Sequence, residues 1–118
     1  GRPKGVILTE RNLTASALNS CVMSRVTHAS AFLVDTPMFH VIGLVANLRP
    51  ALMQGGAVLI SDGFIPARTL ARLGDPALGA THYFCVPQMA AALRAECRST
   101  FNQAPPNGSG DQVPALAQ

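Results

Sequence analysis

Apolar positions along the chain fall into short β-rich runs alternating with stretches of helical spacing. Val6-Ile7-Leu8, after a Gly- and Pro-containing start, predicts a strand over residues 4–8. Thr9 then suits an N-cap, with Glu10 in the first turn at the positive end of the helix dipole. Leu13, Ala17, Leu18, Cys21 and Val22 share one helical face, which carries that helix to about Arg25. Ala31-Phe32-Leu33-Val34 reads as a buried strand ending at Asp35-Thr36-Pro37. Val41, Leu44, Val45, Leu48 and Leu52 again keep helical spacing. Pro50 should kink that helix, because its ring clashes with the carbonyl of Ala46. Gly55-Gly56 supplies a stop and a turn, and Ala57–Ile60 is a further strand. Pro66 opens a short helix that Gly74-Asp75-Pro76 ends. Residues 81–86 predict another strand, and Pro87 starts a helix carrying Met89, Leu93 and Cys97.

Short apolar strands alternating with helices predict an α/β fold with a largely parallel sheet. The pattern breaks near Arg98. Residues 99–118 are rich in Pro, Asn, Gly and Ser without periodicity, and are expected to form a disordered tail. The chain thus divides into an ordered part, 1–98, and a tail, 99–118.

Composition sharpens this. Apolar residues make up 48% of the 118, which excludes whole-chain disorder. Charged residues make up only 13%, low for a domain with so much surface per volume. Ordinary apolar content with little charge points to faces meant to be covered by more protein. The first residue is Gly1 rather than Met, which fits the same expectation of an incomplete subdomain. Net charge is +3, but the basic residues are scattered, and one Tyr without Trp offers no stacking platform, so no nucleic-acid partner is expected. Asn47, Arg49 and Pro50 interrupt the longest apolar stretch, so no transmembrane segment is expected. Three cysteines without Cys-x-x-Cys spacing argue against a disulfide framework, and with no signal-like start they suggest a reducing cytoplasm.

Candidate chemistry is sparse. In Gly1-Arg2-Pro3-Lys4-Gly5, two glycines and a lysine beside a strand could set backbone N–H groups and one ammonium against phosphates. Taken alone, so short a segment reads more simply as a surface turn with a solvated lysine. No Gly-Lys-Ser/Thr and no G-x-G-x-x-G occurs. His40 falls between a strand end and a helix start, at the edge of an open α/β sheet where ligand crevices form. It could position a substrate carboxylate, or simply cap the helix. His28 and His82 read as structural. No metal-ligand cluster and no Gly-x-Ser-x-Gly elbow is visible.

Residues 1–13, Gly-Arg-Pro-Lys-Gly-Val-Ile-Leu-Thr-Glu-Arg-Asn-Leu, resemble the second half of the phosphate-binding signature of adenylate-forming enzymes, the AMP-dependent synthetases and ligases. Three further segments match in order: Pro37-Met38-Phe39-His40, residues 52–58, and residues 81–89 with Val86-Pro87-Gln88-Met89. The last is most similar to fatty-acyl-CoA synthetases. The resemblance implies that Gly1, Lys4 and Gly5 contact the β- and γ-phosphates of ATP. It makes His40 the catalytic candidate beside the acyl pocket, and places Val86, Pro87 and Met89 along the acyl channel. It implies no metal ligand in this chain, with ATP and Mg²⁺ serving a longer parent enzyme and CoA as co-substrate.

The implied activity is activation of a carboxylic acid, expected to be a fatty acid, to an acyl-adenylate, followed by transfer to CoA. An aryl acid is the alternative within the family, and a non-catalytic α/β interaction module the alternative outside it. Glu10 departs from the family's usual His. The aromatic-Gly-x-Thr-Glu and Thr-Gly-Asp segments are absent, and Lys4 is the only lysine, so a second, catalytic lysine is missing. The expectation is therefore a partial AMP-binding domain at 1–98, inactive by itself, and an out-of-family tail of the kind that a frameshift, a sequence error or a decayed gene produces.

Overall fold

The computed structural model of the chain describes residues 2–103. Helix α1 spans Glu10–Met23 and begins at Thr9. The Thr9 hydroxyl accepts the Asn12 N–H at 3.2 Å, while Asn12 Oδ1 accepts the Thr9 N–H at 3.1 Å. Two otherwise orphaned donors are thereby satisfied reciprocally.

Strand β1, Ala31–Val34, and strand β2, Ala57–Ile60, pair in parallel with Ala31 opposite Ala57 and Val34 opposite Ile60. On the other edge of β1, the His82 N–H donates to the Ala31 carbonyl and the Leu33 N–H to the His82 carbonyl. β1 therefore lies in the middle and all four of its residues are buried, whereas β2 is a partly exposed edge. Helices α2 (Arg49–Met53), α3 (Pro66–Leu73) and α4 (Pro87–Gln103) complete the order. The core gathers Cys21, Val26, Phe32, Val34 and Ala51, with Met38, Val58 and Phe84 packed against it. Phe32 stacks with two rings, His82 at 4.6 Å and Phe84 at 6.0 Å between ring centres. Burying one such phenyl contributes roughly 1.5–3 kcal/mol. Gly56 lets β2 enter beside β1, because a Cβ there would stand 2.7 Å from the Ser30 carbonyl oxygen.

Four expectations are corrected in detail. Residues 4–8 are not a strand; Val6 and Ile7 are 79% and 94% exposed. A strand needs a neighbour to complete its ladder, and these residues have none among those described. Residues 81–86 make one bridge, at His82, rather than a full strand. The segment before Pro50 is not a kinked α-helix but a π-helix, Ile42–Leu48, running into α2. Pro50 then falls in the first turn of α2, where its missing N–H costs little. The wider turn before it relieves the expected clash with Ala46, and Asn47 Nδ2 bonds the Ile42 carbonyl at 2.8 Å. Finally, α4 continues to Gln103, five residues into the span expected to be a tail. The rest of that span, and Gly1, lie outside the described residues. Among the described residues no helix is long and apolar enough to cross a membrane.

Candidate functional site

The carboxyl ends of β1 and β2 open on one side into a crevice of about 230 Å³, lined by residues 35–38 and 60–63. In open α/β sheets this is where ligands bind. Its floor is the carboxylate of Asp35, only 4% exposed. Three hydroxyls from three parts of the chain converge on it. Ser61, just past β2, donates to Oδ1; Thr69, inside α3, donates to Oδ2 at 2.5 Å; Tyr83 donates to Oδ2 at 3.2 Å. No cation pairs with Asp35 among the described residues. The hydroxyl dipoles take that role, as a buried carboxylate requires. Burial, and then the adjacent Asp35 charge, push the Tyr83 phenol well above its ordinary range.

The loop that leaves Asp35 carries His40. The His40 N–H donates to the Pro37 carbonyl at 3.0 Å, and His40 Nδ1 accepts the Ile42 N–H at 3.2 Å. His40 is exposed, and its Nδ1 bond to the Ile42 N–H agrees with the helix-start reading. Gly43 packs directly on the loop: a Cβ there would sit 2.4 Å from the Pro37 carbonyl oxygen.

The other predicted residues are dispersed. Lys4 and Gly5 lie in the exposed stretch before α1, where a Cβ on Gly5 would meet nothing within 4 Å. Among residues 2–8 no hydrogen bond or ion pair is present. Val86 is half-buried and its carbonyl accepts the Ala90 N–H, Pro87 is exposed at the start of α4, and Met89 is buried. No hydrogen bond links these groups, or Lys4, to His40. Glu10, where the family has His, pairs with Arg49 of α2 and accepts from Thr14 at 3.0 Å. The Arg49 hydrogen bond holds the Glu10 carboxyl below its usual range. Burial raises the Cys85 thiol, which makes it a poor nucleophile.

Sequence reasoning missed the Asp35 cluster. Its one local signal was an acid directly after four apolar residues. The partners lie 26, 34 and 48 positions away, so only folding assembles them.

A parallel strand pair with helices before, between and after the strands, opening into a crevice at its carboxyl end, defines a partial α/β domain. Residues 1–114 match the model of the AMP-binding enzyme family, and the chain belongs to that family. It is 35% identical over 98 residues to a feruloyl-CoA synthase of Amycolatopsis sp, covering 83% of this chain and 20% of that protein. It is 32% identical over 73 residues to the medium-chain fatty-acid–CoA ligase of Escherichia coli, covering 62% and 13%. Among solved structures it resembles o-succinylbenzoate CoA synthetase of Bacillus subtilis bound to an acyl-adenylate, with a TM-score of 0.72 and 30% identity over 81% of this chain and 19% of that one. ATP-bound MatB of Rhodopseudomonas palustris gives a TM-score of 0.71 at 26% identity, covering 79% and 18%. The chain therefore spans between 13% and 20% of the length of these relatives.

Proposed function

We propose that this chain is the segment of an AMP-forming acid–CoA ligase that carries the end of the phosphate loop and one wall of the acyl site. The reaction has two steps. A carboxylate attacks the α-phosphate of ATP, forming acyl-adenylate and releasing pyrophosphate. The thiol of CoA then displaces AMP. The observation that carries the reading is the match of residues 1–114 to the AMP-binding enzyme family, a span that contains Lys4, Gly5 and His40.

The residues present fit such ligands. The unbonded amides and Lys4 ammonium of the stretch before α1 can hold phosphate oxygens, and α1 directs the positive end of its dipole toward the same region. With Nδ1 accepting from Ile42, neutral His40 carries its proton on Nε2, where it can donate to a carboxylate oxygen. Mg²⁺, when bound, neutralises charge on the phosphates during the first step. Val86 and Met89 belong to the acyl side in this reading, with Met89 shaping it from within the packing. Three free cysteines suit a reducing cytosol as the site of action.

The acid is a fatty acid in the reading based on the Val-Pro-x-Met segment. An aryl acid is a second reading, supported by the longer match to the feruloyl-CoA synthase. The test is pyrophosphate exchange in a protein that joins this chain to the family-length sequence, assayed with medium-chain and hydroxycinnamic acids. Lys4→Ala should weaken ATP use by about 2–3 kcal/mol, as expected for one charge-assisted contact. His40→Ala should lower adenylate formation more than stability. Unchanged exchange in both variants, or binding of a protein partner with no exchange, would favour the non-catalytic module.

A further inference from the structure

We propose that Asp35 is the positioning residue for His40, an inference that rests on the reading of His40 as a site residue. The connection runs along the backbone from Asp35 through Thr36 and Pro37 to His40. Asp35 is 4% exposed and fixed by hydroxyls from the end of β2, from α3 and from the segment beside β1. An acceptor-only carboxylate can satisfy three O–H donors at once, whereas an apolar side chain would take this acceptor from Thr69 and Tyr83 and leave Ser61 only the Val34 and Gly63 carbonyls, at 3.5 and 3.3 Å. The backbone that follows has little freedom. The Pro37 carbonyl takes the His40 N–H on one side and lies against Gly43 on the other, too close for any Cβ. The Ile42 N–H then binds His40 Nδ1. His40 itself is exposed, and the bonds given for it, through its N–H and Nδ1, are both to this backbone seat. A buried charge at the carboxyl end of β1 thus fixes the place and tautomer of a ring five residues away without touching it.

The chain supplies its own controls. His82 is anchored at the opposite end of β1, with Nε2 against the Ser24 carbonyl and Nδ1 against the Thr81 hydroxyl. Leu33 in β1 donates to the His82 carbonyl. The experiment is amide hydrogen exchange together with ring ¹⁵N shifts of the three histidines in the whole chain, for Asp35→Leu and Asp35→Asn. In Asp35→Leu the His40 and Ile42 amides should exchange about tenfold faster or more, and the His40 ring should take the shifts of exposed His28, while the Leu33 amide and His82 ring are unmoved. Asp35→Asn keeps an acceptor, and its N–H can face a hydroxyl that turns round, so it should restore both signals. Unchanged His40 and Ile42 signals in Asp35→Leu with an intact His82 overturn the proposal. Should Asp35→Leu lose the His82 signature, Tyr83→Phe and Thr69→Val decide, each removing one donor. A graded change at His40 supports positioning, and none refutes it. The functional reading fails separately, through a His40→Ala enzyme that still forms adenylate; the exchange result stands or falls regardless.

Discussion

The hydroxyl of Tyr83 donates to Oδ2 of Asp35 over 3.2 Å, joining two residues 48 positions apart. Tyr83 is the only tyrosine and the chain has no tryptophan, so the near-ultraviolet signal of the protein reports on this bond. Burial and the neighbouring carboxylate raise the phenol's pKa above its ordinary 10.0. A group whose folded pKa is raised gives stability that is complete below its unfolded pKa and is lost as pH climbs through the folded one. Phenolate absorbance should therefore titrate above pH 10 in the folded chain and near pH 10 in urea. The urea midpoint should fall as pH rises beyond 10. Asp35→Asn should bring the phenol only part of the way back, because burial is the larger cause. A folded-state midpoint at the ordinary value would contradict the placement of Tyr83.

Gly43→Ala places a methyl 2.4 Å from the Pro37 carbonyl oxygen, and backbone has to move to admit it. The expected cost is about 1–3 kcal/mol, the usual range for overpacking. Gly5→Ala meets open space and should stay within about 0.5 kcal/mol of wild type. Urea unfolding followed by circular dichroism compares the two; equal effects would show that the loop yields freely.

Phe32→Ala removes the ring that stacks on both His82 and Phe84. A loss of about 3–5 kcal/mol follows from a buried phenyl truncation, and in so small a core it should abolish cooperative unfolding. Ile7→Ser alters a side chain that is 94% exposed and should leave the melting curve unchanged. If Ile7→Ser proves as damaging as Phe32→Ala, the segment before α1 packs against something in solution.

Thr9→Ala removes the N-cap oxygen of α1 and should cost about 1 kcal/mol, with helical signal lost first from residues 10–13. Glu10→Gln should do much less, and its small effect should vanish in high salt, because the Glu10–Arg49 pair is solvated. The Glu10 carboxyl is held below its usual value of 4.5, so its contribution is present above that pH and lost as pH falls further. Salt-independent loss in Glu10→Gln would place the pair in a drier setting than its exposure indicates.

Local signals were legible where the chain supplies both halves of an interaction within a few residues. Thr9 and Asn12 close a capping box three residues apart, Pro66 opens α3 and Gly74 ends it, and four consecutive apolar residues make β1. The resemblance that leads to the AMP-binding enzymes was legible for the same reason, since each of its segments is contiguous. The strand expected at 4–8 does not form and the one expected at 81–86 is reduced to a single bridge, because a β-rich run becomes a strand only when a neighbour completes its hydrogen bonds.

By itself the sequence determined the alternation of helix and strand, the start of α1 and α3, the buried strand, and the order of the family's motifs. The tertiary structure alone decided which groups meet. It set Asp35 among Ser61, Thr69 and Tyr83, seated His40 on the Pro37 carbonyl against Gly43, stacked His82 on Phe32, and gave Glu10 an Arg49 partner 39 residues away. The division has a physical cause. Dihedral preference, capping and hydrophobic period act over three to five residues, whereas the partner of a buried polar group is chosen by which distant segments the packed core brings within hydrogen-bond reach.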